Sequence, residues 1–125
     1  MSVTRACCLL RRDDELLVEE RVDPDAGRVY RPVGGRVDDE PPEAVVRDAF
    51  EDALGVDLTD VSEVGTYDGT LVFEADAQSA WPYGEEGFTV YDPDSGETTR
   101  LAWLHVDDFR KYGETLRPEG LLADL

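Results

Sequence analysis

The sequence predicts an α/β sandwich, a mixed sheet between helical layers, in a single domain spanning residues 1–125. Three observations predict it. Short apolar runs bounded by turn formers recur along the chain, as strands do. Residues Pro41 to Leu54 instead place large apolar side chains at helical spacing and stop at Gly55, and Pro118 opens a second such segment near the end. With 125 residues and 41% apolar content, the chain can bury one core but not two.

Taken in order, Ala6 to Leu10 reads as a first strand, Arg12-Asp13-Asp14 as a turn and Leu16 to Arg21 as the returning strand. Cys7 and Cys8 are adjacent, so a strand points them to opposite faces. Asp23 to Gly27 is a loop rich in turn formers. Val29 to Val33 is extended, and Pro32 argues for an edge or a strand end. Gly34-Gly35 reads as a turn, because glycine adopts backbone angles closed to other residues. Pro41 and Pro42 suit a first helical turn, and Glu43 suits the positive end of the dipole. Gly55 follows the C-terminus of that helix. Val61 to Thr66 and Thr70 to Glu74 form a hairpin through Tyr67-Asp68-Gly69. Ala80 to Gly87, AWPYGEEG, breaks any regular pattern. Phe88 to Tyr91 and Thr98 to Val106 pair around Asp92-Pro93-Asp94-Ser95-Gly96. Asp107 caps a short helix through Tyr112, and Pro118 opens a last one carrying Leu121, Leu122 and Leu125.

The stretch from Tyr30 to Leu58, YRPVGGRVDDEPPEAVVRDAFEDALGVDL, resembles a Nudix box, whose pattern is G-x5-E-x7-R-E-U-x-E-E-x-G-U with U a bulky residue. TLVFEADA, RLAWLHVDDF and LRPEGLLADL are similar to later parts of the same fold, so the resemblance covers nearly the whole chain. It implies a Nudix-type α/β/α sandwich and hydrolysis of a nucleoside diphosphate linked to another group. It also implies Mg²⁺ or Mn²⁺ held by carboxylates at i, i+3 and i+4 on one helix face, since hard cations take oxygen ligands.

The box departs from the pattern at those carboxylates. Aligned without gaps from Leu54-Gly55, the metal trio becomes Ala49, Asp52, Ala53, and Phe50 fills the bulky position. Aligned on Arg47, it becomes Asp48, Glu51, Asp52, and Ala49 must be the bulky residue. At about 100° per residue, Val46, Phe50 and Leu54 form one apolar stripe while Asp48, Glu51 and Asp52 face away. A large residue belongs against the sheet, so the gapless register is preferred and the site is eroded. Asp52 is the carboxylate both registers keep. Asp48 and Glu51 join it in the second register only, with Glu40 as a helper ligand one place short of the expected spacing.

Acids outnumber bases 30 to 12, for a formal net charge of −18, and Lys111 is the sole lysine. Such a surface repels nucleic acid and anionic membrane. The balance points to a halophilic cytosolic protein, in which molar salt screens charges beyond about 3 Å. Ala6 to Leu10, the longest early apolar run, is too short for a signal core or a span. A disulfide framework is not expected, and a reduced, cytoplasmic setting fits. With His105 the one histidine, no zinc constellation of soft ligands assembles.

Several residues carry two readings. Arg31 and Arg36 flank Gly34-Gly35 and can meet a substrate phosphate, or pair with nearby acids. Trp81 and Tyr83 can stack on a ligand, or close a core edge. Asp38, Asp39 and Glu40 can catch a metal, or stay solvated. Trp103 is expected in the core, and His105 has no nucleophile to serve. Two functions stay open: a divergent hydrolase with weak or absent turnover, and a non-catalytic nucleotide- or partner-binding module. The discriminating feature is whether carboxylates converge in the cleft or Ala49 and Ala53 line it. The substrate and oligomeric state, including a homodimer, are left open.

Overall fold

The computed structural model describes residues 3–91 and 96–125. Its strands are β1 (Arg5–Leu9), β2 (Arg11–Arg12), β3 (Glu15–Asp23), β4 (Gly27–Arg36), β5 (Leu58–Tyr67), β6 (Thr70–Ala77), β7 (Gly87–Tyr91) and β8 (Thr98–His105). Helix α1 (Pro42–Leu54) follows β4, and a short α2 (Val106–Arg110) follows β8. The strands form one mixed sheet in the order β5-β6-β1-β4-β3-β8-β7, with β2 appended to β3. The β1–β6 pair is parallel and the other pairs are antiparallel. The α/β sandwich expected from the sequence is present.

Period-2 alternation in the strands divides the core in two. Ala6, Cys8, Leu17, Val33 and Trp103 face α1, which buries Val46, Phe50 and Leu54 against them. Cys7, Leu9, Leu16, Val18 and Tyr30 face the other way, under Phe109, Leu116 and Leu121. Phe50 is fully buried, while Asp48, Glu51 and Asp52 are exposed, as the apolar stripe requires. Removing a side chain of that size from water stabilises by about 1.5–3 kcal/mol. The adjacent cysteines do point to opposite faces, and both are free thiols.

β4 differs from the expectation at two points. Pro32 lies in a central strand rather than at an edge. β4 changes partner there: residues Gly27 to Pro32 pair with β3, and Val33 to Arg36 pair with β1. A missing N–H is tolerated where one ladder ends and the next begins. Gly34 and Gly35 are also not a turn; they continue β4 opposite Cys7 and Ala6. The glycine requirement at Gly34 is close approach, since a Cβ there would lie 2.0 Å from the Ala6 carbonyl oxygen.

Helix α1 begins after Pro41, with Pro42 in its first turn, and ends at Gly55 in the left-handed region (φ 65°). The Gly55 N–H donates to the Glu51 carbonyl at 2.8 Å. The β5–β6 hairpin turns on Asp68 (φ 48°) and Gly69 (φ 76°), the two positive angles that a tight two-residue turn needs. The strand after the first turn, β3, returns to β2, β4 and β8; the neighbours of β1 are β4 and β6. The expected Asp92-to-Ser95 turn lies outside the described residues, although β7 and β8 pair as expected.

The C-terminal expectations need correction. His105, not Asp107, caps α2: its Nδ1 accepts the Asp107 N–H at 3.0 Å, and the Asp108 carboxylate accepts the His105 N–H at 3.0 Å. No α-helix follows Pro118. The chain makes a turn and a short 3₁₀ segment, Leu122–Asp124. Gly120 at φ 93° breaks the helical path that the leucine spacing suggested, yet Leu121 is still fully buried.

Candidate functional site

A cavity of about 480 Å³ opens between α1, β3, β4 and the β7–β8 pair. Its size falls in the range of small-ligand sites, roughly 300–1,000 Å³. Val33, Gly34 and Leu101 supply sheet-side wall, and Ala49 and Ala53 supply helix-side wall. Asp52 is the one α1 carboxylate on that wall, facing Glu19 and Arg21 of β3 and Val90, Tyr91 and Thr99 of the last hairpin. Asp52 and Ala49 recur in an adjoining acidic groove with Arg36, Asp38, Asp39, Glu40 and Asp48.

The arrangement follows from the helix period. Ala49, Asp52 and Ala53 are neighbours at i, i+3 and i+4, on the flank of the buried Val46–Phe50–Leu54 stripe. Asp48 lies one position round, toward the loop before α1, and hydrogen-bonds with Glu40. That hydrogen bond, then the Asp48 charge, holds the Glu40 carboxyl above the usual carboxylate range. Glu51 lines neither space.

Glu19 was not anticipated. It is 7% exposed, and its Oε1 accepts from Arg31 Nε at 2.5 Å and from Arg21 Nε at 3.4 Å. A buried carboxylate is retained when charged donors meet it in this way. The available signal was parity: Glu19 is two residues after Leu17 and therefore on the α1 side of β3. Arg31 gives its Nε–H to this pair and lines a different cavity.

The two aromatic candidates separate. Tyr83 stacks on Trp103 with ring centroids 5.7 Å apart, and its hydroxyl accepts the Ala77 N–H at 2.7 Å. Trp103 in turn donates its indole N–H to the Pro82 carbonyl at 2.9 Å, and the Arg12 guanidinium lies 4.8 Å over its ring. Tyr83 is thus engaged in closing the core edge. Trp81 stays 44% exposed beside Phe88, with centroids 5.3 Å apart, outside the main cavity lining. Tyr91, exposed and on the cavity wall, is the aromatic placed to meet a ligand there.

Among the described residues, no three Asp, Glu, His or Cys side chains converge as metal ligands. With Ala49 and Ala53 beside Asp52, the donor set on that wall does not fit a preformed Mg²⁺ or Mn²⁺ centre.

The fold and this helix-flanked cleft define an α/β sandwich of the Nudix type. A NUDIX hydrolase from Nitrosomonas europaea matches 99% of this chain and 86% of its own, with a TM-score of 0.60 at 14% identity. A NUDIX-family hydrolase from Clostridium perfringens matches 98% and 92%, with a TM-score of 0.60 at 15% identity. A MutT NUDIX hydrolase from Burkholderia pseudomallei matches 86% and 85%, with a TM-score of 0.52 at 23% identity. No family model and no curated protein sequence matches the chain. The chain therefore has the Nudix fold.

Proposed function

We propose that this protein is a divergent Nudix-type hydrolase, acting weakly on a nucleoside diphosphate linked to another group. The observation that carries this reading is the cavity beside α1, where Asp52 alone of the α1 carboxylates stands between Ala49 and Ala53. Its volume accommodates a nucleotide-sized ligand, and Tyr91 offers a face for a base. Arg21 offers a donor to phosphate oxygens, although Glu19 holds its Nε. Mg²⁺ or Mn²⁺, recruited together with the substrate's phosphates, would supply charge neutralisation at the attacked phosphorus, with Asp52 as the protein's ligand.

Non-catalytic nucleotide binding by the same cavity is the second reading, favoured specifically by Ala49 and Ala53 on its wall. A hydrolysis panel of ADP-sugars and dinucleotides, with Mg²⁺ and Mn²⁺ in concentrated KCl, separates the two. Slow, metal-dependent turnover that falls in Asp52→Asn supports the hydrolase. Saturable nucleotide binding without product supports the module. Neither turnover nor binding rejects both.

A further inference from the structure

A second cavity, of about 200 Å³, is lined by Arg5, Cys7, Arg31, Pro32, Asp68, Thr70, Arg117 and Pro118. Three arginines on one small cavity wall are unexpected in a chain whose acids outnumber its bases 30 to 12. Two of the three, like Arg21, Arg28 and Arg47 elsewhere, find carboxylates: Arg31 on Glu19 and Arg117 on Glu119. Arg5 is half-buried and, among the described residues, has no carboxylate within ion-pair distance. Burial first, then the neighbouring Arg31 charge, works against the Arg5 cation. Glu19 offsets this only in part, and an incoming anion would supply the direct partner that a half-buried charge lacks.

We propose that this cavity binds a compact oxyanion of the phosphate class, held by Arg5, Arg31 and Arg117. The volume decides the size of the occupant: about 200 Å³ is below the usual range for whole small molecules, so it suits one group rather than a nucleotide. Guanidinium forks match the geometry of phosphate oxygens. Thr70, a buried residue on the same wall, adds a hydroxyl donor. The opposing charges are Asp68, exposed at the rim, Glu19 on Arg31 and Glu119 on Arg117. They leave Arg5 as the member with no carboxylate in ion-pair contact among the described residues, with Glu19 acting on it only at longer range. The site is separate from the cavity beside α1, and its occupancy does not depend on hydrolysis there.

The test is titration of the full chain with inorganic phosphate in EDTA at fixed KCl, following arginine Nε–H resonances, with AMP as a parallel arm. Saturable shifts at Arg5 and Arg31, weakened at least tenfold in Arg5→Gln and in Arg117→Gln, are expected. Arg5→Gln breaks no ion pair, and its amide spectrum reports whether it folds; Arg117→Gln gives an independent measurement. Tighter binding of AMP than of phosphate, read at the Arg5 resonance and lost in Arg5→Gln, assigns the site to a phosphate carried by a nucleotide, and equal binding at that resonance assigns it to the free ion. Asp52→Asn should bind phosphate as the parent does. A linear, non-saturating response, or binding that is unchanged in Arg5→Gln or lost in Asp52→Asn, overturns the proposal.

Discussion

Gly34 lies so close to Ala6 that a Cβ built on it would stand 2.0 Å from the Ala6 carbonyl oxygen and 2.6 Å from the Cys7 Cα. Both obstacles are backbone, so neither can rotate away. The contact joins β4 to β1 at the point where β4 has left β3, and it places the start of the loop into α1. Gly34→Ala should therefore destabilise by about 3 kcal/mol or more, the upper end of overpacking effects. At Gly35 the nearest obstacle is the Val45 side chain at 3.3 Å, which can give way. Gly35→Ala should stay within about 1 kcal/mol. Urea midpoints of the two variants check the difference, and equal losses would contradict it.

Phe50 is the anchor of α1, fully buried against the Val33–Trp103 side of the sheet. Phe50→Ala should destabilise by about 3–5 kcal/mol, as truncating a buried aromatic does. Glu51→Ala, on the exposed face, should change stability by less than about 0.5 kcal/mol. A Phe50→Ala loss below about 1 kcal/mol would remove the packing argument for the gapless reading of the box.

These two glycines and this helix show how far the sequence was legible. The 3.6-residue stripe of Val46, Phe50 and Leu54 and the paired turn at Asp68-Gly69 are local signals, and both elements form where those signals put them. Gly34 is different: its need arises from Ala6 and Cys7, far away in the chain, so the local angle argument assigned it the wrong role. Pro32 misled for the same reason, because the change of strand partner that accommodates it is a tertiary event. In the site, Asp52, Ala49 and Ala53 could be placed on one wall from helix period alone. Glu19, Tyr91 and Thr99 come to that wall through the order β4-β3-β8-β7, which no local pattern encodes.

The Glu40–Asp48 hydrogen bond makes a pH prediction. The Glu40 pKa is raised in the folded chain, so its contribution is fully present below the unfolded value, about 4.3, and is lost as pH rises through the folded value. The loop before α1 should be held best in mild acid and loosen as the proton leaves. Carboxyl NMR should show Glu40 titrating above an ordinary glutamate, and Asp48→Asn, which removes the like charge, should bring it down. An ordinary Glu40 titration in the parent protein would refute the pairing.

Salt should act through the whole surface. At a formal charge of −18, self-repulsion opposes the compact state, and molar KCl shortens the screening length to about 3 Å. The melting temperature should climb steeply from dilute buffer to concentrated KCl. A flat profile would overturn the halophilic reading of the surface.

The metal requirement gives the sharpest test of the cavity. Mg²⁺ keeps its waters unless carboxylates and substrate phosphates displace them together, so Asp52 between two alanines should hold it weakly. Each 1.36 kcal/mol of lost charge stabilisation at the attacked phosphate slows the reaction about tenfold. Hydrolysis should accordingly be slow even in concentrated salt. Ala49 and Ala53 both face the cavity and are half-buried, so acids can be introduced there without displacing the Phe50 stripe. Ala49→Glu with Ala53→Glu should raise Mg²⁺ or Mn²⁺ affinity by at least tenfold, read by calorimetry in KCl. Asp52→Asn in that background should reverse most of the gain. Unchanged metal affinity in the double variant would mean that these positions do not form a common ligand set with Asp52. Robust parental turnover that survives Asp52→Asn would move the chemistry away from this wall altogether.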